Sequence, residues 1–249
     1  MAQRILVVDD EESIRFTFDA FLSDVGYRID TASSLKEALA LAEETAYDTV
    51  FIDILLGRES GMELLRFMRE RNPNCPVVMV TGAPELATAA EAVRLGAFDY
   101  VTKPLHQQDL LRIASRALER KILLDERETF LLRMKAVFES IQEGILVYDE
   151  NFRLVDLNES ACRILACGRD LIGKSLDELE QSNSCAAAAQ FREAVMQRCS
   201  GEIYRMQMVN NIGQTLLVSL TIAPLTSQTR RESGVIVVLR DESQPARGL

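Results

Sequence analysis

Five polar residues with the chemistry of a phosphoryl-transfer site follow short apolar runs in the first half of the chain. They are three carboxylates, one hydroxyl and one lysine, namely Asp9, Asp10, Asp53, Thr81 and Lys103. Clustered carboxylates repel one another, and a hard divalent cation such as Mg²⁺ relieves that repulsion because it prefers oxygen ligands. The hydroxyl and the lysine would add a hydrogen bond and a positive charge for phosphoryl oxygens. These residue types predict a magnesium-dependent phosphoryl site, provided that the fold brings them together.

The segments between these residues alternate between two apolar patterns. Short β-branched runs predict five strands, and amphipathic stretches predict five helices. The strands are 5–8, 28–31, 49–52, 77–80 and 100–102, and the helices are 14–25, 36–45, 61–71, 85–95 and 108–119. Such alternation favours an α/β fold with a parallel sheet that is covered on both faces. Since ligands bind at the carboxyl ends of such strands, we expect all five polar residues at one edge of the sheet.

Composition and charge limit the classes of protein that remain. With 249 residues, 47% of them hydrophobic, the chain is long enough for two domains. A formal net charge of -10 argues against nucleic acid as a direct partner. No apolar run suits a signal peptide or a membrane span, so we expect a cytoplasmic protein without membrane insertion. An odd number of cysteines without CxxC pairs predicts buried free thiols: Cys75, Cys162, Cys167, Cys185 and Cys199.

The stretches around the polar positions resemble the receiver domain of two-component response regulators. They are D-D-E at 9–11, F-I-D-I-L-L at 51–56, V-T-G-A at 80–83 and V-T-K-P at 101–104. The resemblance covers residues 3 to about 120 and is strongest to receivers of the NtrC type. It implies a flavodoxin-like (CheY-like) doubly wound sheet of five parallel strands.

The resemblance also implies how the acidic residues act. Asp53 would be the phosphoacceptor, taking a phosphoryl group from a phosphohistidine on a partner sensor histidine kinase. Asp10, Asp53 and the backbone carbonyl of Leu55 would bind Mg²⁺, and Asp9 would act mainly through a coordinated water.

The same resemblance assigns the remaining site residues. Thr81 and Lys103 would hold the phosphoryl oxygens, and Tyr100 would be an aromatic switch that responds when Thr81 moves. Lys103-Pro104 is expected either as an ordinary turn or as a cis peptide that positions the lysine. Receivers often carry Met-Pro where Leu56-Gly57 stand here, so a looser loop is expected at Gly57.

Some polar residues in these stretches have simpler interpretations. Glu11 and Glu12 are expected to favour the positive end of the first helix rather than to bind metal. Thr102 is expected on the strand surface. His106, the single histidine, is expected in an exposed loop, which leaves the chain without a phosphohistidine helix of its own.

A long helical periodicity joins the two halves of the chain. It predicts a continuous signalling helix over residues 105–141, and we favour a parallel coiled coil in a homodimer over a helix that packs on its own domain. Arg120 and Arg127 interrupt the apolar spacing and count against the coiled coil. The apolar positions are Leu110, Ile113, Ala117, Leu124, Leu131, Met134, Phe138 and Ile141.

The second half predicts an α+β domain with an antiparallel sheet. Strands are expected at 144–148, 153–156, 202–209, 215–224 and 234–241, and helices at 158–166, 176–180 and 185–198, with a hairpin turn at 210–213. This order resembles a PAS domain, as do I-Q-E-G-I-L-V-Y-D-E-N-F-R-L-V-D-L-N-E-S-A-C-R-I-L, D-L-I-G-K-S-L and V-I-V-V-L-R-D-E-S.

The PAS resemblance leaves the ligand unknown. Haem is disfavoured because this half has no histidine, and flavin is disfavoured because Cys162 lacks the surrounding residues of blue-light sensors. Cys162 is expected to be a small apolar residue on a helix.

Together these features predict a two-component response regulator rather than an enzyme. Phosphoryl transfer to Asp53 would control the conformation or dimerisation of the linked PAS domain. Three alternatives remain: a PAS ligand sensor with a modulating receiver, an amino-terminal part of a larger sensor kinase or transcription activator, and an aspartyl-phosphate hydrolase. The hydrolase would need a second acid where Leu55 stands. The expected boundaries are 1–120 for the receiver, 105–141 for the signalling helix, 128–243 for PAS and 244–249 for a tail.

Overall fold

The computed structural model describes residues 2–181, 192, 201–226 and 233–243. The chain divides into two compact units, Met1–Phe130 and Leu131–Leu249. Apart from residue 192, the helix predicted over 185–198 lies outside the described residues, as does the predicted tail. Among the helices that are described, none combines the length and apolarity needed to cross a bilayer.

The first unit is built on a five-stranded parallel sheet. Its strands are β1 (Arg4–Val8), β2 (Arg28–Ala32), β3 (Thr49–Asp53), β6 (Val77–Thr81) and β7 (Asp99–Thr102), and a small hairpin, β4 (Leu55–Leu56) and β5 (Glu59–Ser60), follows β3. The helices of this unit are α1 (Glu12–Ser23), α2 (Leu35–Glu44), α3 (Met62–Arg71) and α4 (Leu86–Arg94), and α5 (Gln107–Ser140) begins in it and ends in the second unit. The strand order is β2-β1-β3-β6-β7 with parallel pairing throughout. The predicted doubly wound α/β fold is confirmed, whereas the hairpin was not predicted.

Both faces of this sheet are buried, which explains the apolar strands. Every residue of β3 and β6 is buried. Along β1, Leu6 and Val8 pack into one core cluster, while Ile5 and Val7 pack into another. Successive side chains of a strand point to opposite faces, so these two clusters lie on the two sides of the sheet. Strands buried on both faces need continuous apolar runs and leave polar residues to the strand ends.

The second unit contains an antiparallel sheet. Its elements are β8 (Gly144–Tyr148), β9 (Leu154–Leu157), α6 (Glu159–Leu165), a short 3-10 helix (Arg169–Leu171), α7 (Leu176–Gln181), β10 (Gly201–Val209), β11 (Thr215–Thr226) and β12 (Ser233–Asp241). The strand order is β10-β11-β12-β8-β9. All pairings are antiparallel. This confirms the predicted α+β architecture of the second half.

The side chain of Asn158 forms hydrogen bonds with the start of α6, with the end of α5 and with β8. The side chain is fully buried, and its Oδ1 accepts hydrogen bonds from the backbone N–H groups of Ala161 and Ile145, both at 2.9 Å. The Ala161 bond caps the N-terminus of α6. The amide Nδ2 donates to the backbone carbonyls of Phe138 (3.1 Å), Ile141 (3.4 Å) and Glu143 (2.9 Å). One buried side chain thus satisfies backbone groups of three segments.

Replacing Asn158 by Ala should destabilise the second unit by about 3 kcal/mol, because two N–H donors and several carbonyls lose their partner in a buried place. The measurement is urea unfolding followed by circular dichroism. Asn151→Ala, at an exposed turn position, serves as the control and should change the free energy of unfolding by less than about 0.5 kcal/mol. Equal stability of the two variants would contradict this account of Asn158.

Cys75 is a buried free thiol, as predicted, whereas Cys162 and Cys167 are free thiols that are only partly buried. Burial raises the pKa of Cys75 to about 12. Because the thiolate is the reactive species, Cys75 in the folded protein should react with iodoacetamide at pH 8 at least roughly tenfold more slowly than in urea. Peptide mass mapping measures the modification, and equal rates with and without urea would contradict the buried placement.

Candidate functional site

The carboxyl edge of the parallel sheet brings the five predicted residues together. Asp53 is the last residue of β3, and Thr81 is the last residue of β6. Asp9 and Asp10 follow β1, and Lys103 follows β7. The Lys103 backbone N–H donates to the Thr81 carbonyl at 2.7 Å, which joins two of the strand ends directly.

The three aspartates form a tight carboxylate cluster. One carboxylate oxygen from each of Asp9, Asp10 and Asp53 lies within 4.8 Å of the others. Asp9 and Asp53 are buried, whereas Asp10 is exposed. The cluster therefore combines two acids shielded from water with one that faces it.

The ammonium of Lys103 lies between the two buried acids. Its Nζ is 2.5 Å from Asp53 Oδ2, 2.7 Å from Asp9 Oδ2 and 3.6 Å from Glu11 Oε1. Burial raises the pKa of Asp9, and its hydrogen bonds with Lys103 and Glu11 offset this only in part. Burial disfavours the charged lysine, but hydrogen bonds to Asp53 and Asp9 outweigh it and raise the pKa of Lys103. Lys103 therefore supplies the positive charge that lets the buried carboxylates lie close together.

Backbone N–H groups hold the remaining carboxylate oxygens in place. Each aspartate accepts one such bond: Asp9 Oδ1 from Glu11 (3.0 Å), Asp53 Oδ1 from Leu55 (3.1 Å) and Asp10 Oδ2 from Gly57 (3.2 Å). These bonds orient the three carboxylates through backbone groups alone.

Gly57, in the loop that is predicted to be looser, donates a hydrogen bond to the acidic cluster. It has a φ of +63°, which favours glycine, and its N–H donates to Asp10. A proline at this position would have neither this backbone angle nor an N–H to donate. The glycine that departs from the receiver pattern thus adds a contact to the acidic cluster.

Gly61 lies against the backbone of the acceptor strand. A Cβ added here would lie 2.1 Å from the Asp53 carbonyl oxygen and 2.8 Å from Ile52 Cγ2. The Gly61 N–H donates to the Ile54 carbonyl at 2.9 Å, so the loop and the strand end are hydrogen-bonded. Only glycine fits this close approach without displacing Asp53.

Thr81 and Tyr100 lie on neighbouring strands. The buried Thr81 Oγ1 accepts a hydrogen bond from the Ala83 N–H at 3.1 Å. The partly buried Tyr100 places its hydroxyl 3.1 Å from Thr88 Oγ1 on α4. The tyrosine therefore connects the sheet edge to a helix.

Thr102 and His106 are exposed, as predicted, and the Lys103-Pro104 bond is cis. Glu12 begins α1, and Glu11 occupies the N-cap position without a capping bond from its side chain. The Glu11 carboxylate instead lies near Lys103, a contact that its position in the sequence did not predict.

Arg15 is a residue of the site that sequence reasoning missed. From α1, its guanidinium donates to the backbone carbonyls of Asp9 at 2.7 Å and Asp10 at 3.0 Å. This side chain fixes the loop that carries two of the three acids. Its spacing, one helical turn after Glu11, was the only available signal, and that spacing is common to many helices.

The donor set suits a hard divalent cation. The cluster offers three carboxylate oxygens, and Mg²⁺ binds one or two carboxylates while it keeps several waters. Exposure of Asp10 leaves room for water on one side of the cluster. The residues therefore fit the magnesium site that the sequence predicted.

Cys162 lies on α6 of the second unit, half-buried against its hydrophobic core. Burial raises the pKa of Cys162. This placement agrees with the expectation of a small apolar residue.

Comparison with known proteins matches both units to families. The response regulator receiver domain family matches residues 5–115, and the PAS domain family matches residues 142–244. An NtrX-like response regulator of Rickettsia conorii is 33% identical over 176 residues, which are 69% of this chain and 37% of that protein. The alginate biosynthesis transcriptional regulatory protein AlgB of Pseudomonas aeruginosa is 41% identical over 116 residues, which are 47% of this chain and 26% of that protein.

A solved structure of NtrX from Brucella abortus is similar over 54% of this chain and 31% of that chain, with 41% identity and a TM-score of 0.49. The chain thus spans well under half the length of the curated relatives it matches.

The sheet, its edge cluster and the two family matches define a receiver domain followed by a PAS domain. Residues 5–115 therefore belong to the response regulator receiver domain family, residues 142–244 belong to the PAS domain family, and the curated relatives that match the chain include response regulators.

Gly61→Ala should lower the stability of the first unit, because the new methyl group displaces the Asp53 backbone. We expect a loss of about 2 kcal/mol in the free energy of unfolding, as for other overpacked buried sites. Gly82→Ala is the matched control, since the nearest atom to its added Cβ is Lys103 Cδ at 4.0 Å. Chemical denaturation of both variants is the measurement, and equal stability would contradict the steric argument.

Proposed function

We propose that Asp53 is the phosphoacceptor of this response regulator. The observation that carries the proposal is the Lys103 ammonium, 2.5 Å from Asp53 Oδ2 and 2.7 Å from Asp9, at the carboxyl edge of a receiver-family sheet. A lysine at this place can follow the acceptor oxygen through the reaction and then pair with the oxygens of the phosphoryl group.

In the proposed reaction, an Asp53 carboxylate oxygen attacks the phosphorus of a phosphohistidine on a sensor histidine kinase. A phosphorus–oxygen bond forms, the phosphorus–nitrogen bond breaks, and its electron pair returns to the imidazole. Lys103 and the Thr81 hydroxyl hold the phosphoryl oxygens during the transfer. The product is an acyl phosphate on Asp53.

In the same proposal, Asp10, Asp53 and the Leu55 backbone carbonyl would hold Mg²⁺, and Asp9 would act mainly through a coordinated water. The ion, when bound, neutralises negative charge on the carboxylates and on the phosphoryl oxygens. The backbone bonds to Asp9, Asp10 and Asp53 keep these oxygens oriented for that purpose.

The proposed output begins at Thr81. Movement of its hydroxyl toward the phosphoryl group makes room for Tyr100, whose bond to Thr88 connects it to α4. The change shifts the population between two arrangements of a homodimer, with α5 joining the receiver to PAS. The proposed segments are receiver 1–120, signalling helix 105–141, PAS 128–243 and tail 244–249.

The proposal describes a signalling protein that assists only its own phosphorylation and dephosphorylation. It binds no nucleic acid directly, consistent with a net charge of -10, and it acts in the cytoplasm, where kinases draw on ATP. The PAS domain carries neither haem nor flavin in this proposal, and its ligand is unassigned.

Asp53→Asn should abolish phosphorylation, because the amide lacks the nucleophilic carboxylate oxygen. Wild type incubated with Mg²⁺ and acetyl phosphate should gain the mass of one phosphoryl group, and chelation of Mg²⁺ should prevent the gain. Asp24→Asn makes the same chemical change at an exposed position and should leave the gain unaltered. Intact-protein mass spectrometry is the measurement. A phosphorylated Asp53→Asn variant, or a wild type that never gains mass, would overturn the proposal.

A further inference from the structure

The turn that ends α6 brings two cysteines of the second unit close together. Ala166, directly after the helix, has a φ of +53°, in the left-handed region. The Ala166 N–H donates to the Arg163 carbonyl at 3.3 Å, and the Cys167 N–H donates to the Cys162 carbonyl at 3.0 Å. This pair of bonds is a Schellman motif, in which the side chains at the two ends of the longer bond frequently contact each other. Cys162 and Cys167 occupy those two positions.

The backbone bond between the two cysteines limits how far apart they can lie. With standard bond lengths, a carbonyl and an N–H joined at 3.0 Å leave their Cα atoms less than about 7 Å apart. Disulfides in proteins join Cα atoms that are about 4.4–6.8 Å apart. The side chains of Cys162 and Cys167 also pack against the same hydrophobic core cluster of the second unit. The two thiols are therefore placed for a disulfide that leaves the helix end folded.

Both thiols are accessible to a small oxidant. Cys162 and Cys167 are partly buried and neither is in a disulfide, whereas Cys75 is 0% exposed. Burial raises the pKa of Cys162, so little of this thiol is ionised at neutral pH and its reaction with an oxidant is slow. The pair thus suits a response to a sustained excess of oxidant, and the buried Cys75 provides an internal control.

The same turn contacts two other parts of the second unit. The Leu165 carbonyl accepts a hydrogen bond at 3.1 Å from the N–H of Asn211, in the turn between β10 and β11. Arg169, which follows the cysteine pair, forms an ion pair with Glu139 near the end of α5. A covalent bond across this turn would therefore affect the β10–β11 turn and the end of α5 together.

We propose that Cys162 and Cys167 are a redox-active pair, which a peroxide converts to an intramolecular disulfide that fixes the end of α6. Disulfides that form and break in a reducing compartment are typical of redox sensing. The pair would give the PAS domain a chemical input of its own, independent of Asp53.

The proposed reaction has two steps. In the first, one thiolate attacks an oxygen of hydrogen peroxide, the O–O bond breaks, and the leaving hydroxide takes up a proton to become water. In the second, the other thiol attacks the sulfur of the resulting sulfenic acid, an S–S bond forms, and the S–O bond breaks to release a second water. The two sulfur atoms lose two electrons and the peroxide gains them. Two thiols of a small reductant reverse the change and become a disulfide themselves.

Peptide mapping of the full chain detects the disulfide directly. Trypsin cleaves after Arg153, Arg163 and Arg169, so the two cysteines fall on separate peptides, 154–163 and 164–169. After mild treatment with hydrogen peroxide, the intact chain should lose the mass of two hydrogen atoms at the monomer mass, and these two peptides should become linked. Linked peptides that contain Cys75 should be at least roughly tenfold less abundant, because that thiol is buried. Dithiothreitol should separate the linked peptides.

Variants at Ala166 test the turn while both thiols are kept. Ala166→Val places a β-branched residue at a left-handed position, so the disulfide should form at least roughly fivefold more slowly. Ala166→Gly, the matched control, favours the same backbone angle and should form the disulfide at about the wild-type rate. Circular dichroism checks that both variants are folded. Cys162→Ser and Cys167→Ser should each prevent the link.

Hydrogen exchange tests whether the disulfide fixes the helix end. In oxidised wild type, the Asn211 N–H should exchange at least roughly threefold more slowly than in the reduced protein, because its acceptor Leu165 is held within the closed turn. Cys167→Ser treated with the same peroxide should show no change.

Three outcomes would overturn the proposal. Wild type in which peptides 154–163 and 164–169 stay unlinked, or link mainly to other cysteines, excludes the pair. An Ala166→Val variant that is folded and oxidises as fast as wild type excludes the role of the turn. Unchanged exchange at Asn211 after oxidation excludes the effect on the helix end.

The proposed function is tested separately. Asp53→Asn should form the disulfide at the wild-type rate, since the first unit takes no part in the reaction. Failure of wild type to accept a phosphoryl group from acetyl phosphate concerns Asp53 alone, whereas failure to link the two peptides concerns the cysteine pair alone.

Discussion

The site depends on the ion pairs that Lys103 forms with Asp9 and Asp53. Two buried carboxylates within reach of each other would repel, and one would take up a proton or the pocket would open. The ammonium contacts both, at 2.7 and 2.5 Å, and offsets that repulsion in part. The rest of the first unit holds this contact in place: parallel β1, β3 and β7 bring three separate strand ends to one edge, and Gly61 lets the next loop approach the acceptor strand.

Much of this arrangement could be predicted from the sequence, for a physical reason. Strands buried on both faces must be continuously apolar, so the first acid after such a run marks the strand end. This is how Asp9 and Asp53 could be located, and the parallel order then placed them together. The five polar side chains lie where that reasoning put them.

Other contacts could not be predicted because they depend on distances across the fold. The guanidinium of Arg15 reaches the carbonyls of Asp9 and Asp10, and the Gly57 N–H reaches Asp10, yet neither residue stands out by type or spacing. The two-residue strands of the hairpin after β3 are too short to give a periodic pattern. Asn158 is a similar case, since its N-cap role is local but its bonds to the end of α5 span up to 20 residues.

The charge balance of the edge cluster has a consequence for what can approach it. Three aspartates and one lysine leave a net negative pocket when all are ionised, and Glu11 adds a further carboxylate at its rim. Free anions, including inorganic phosphate and unrelated metabolites, meet repulsion there before they reach Asp53. A phosphoryl group can approach Asp53 only if it, or a group near it, supplies a compensating positive charge. The clustered acids therefore make entry of any phosphoryl donor, acetyl phosphate included, depend on a cation that compensates their charge.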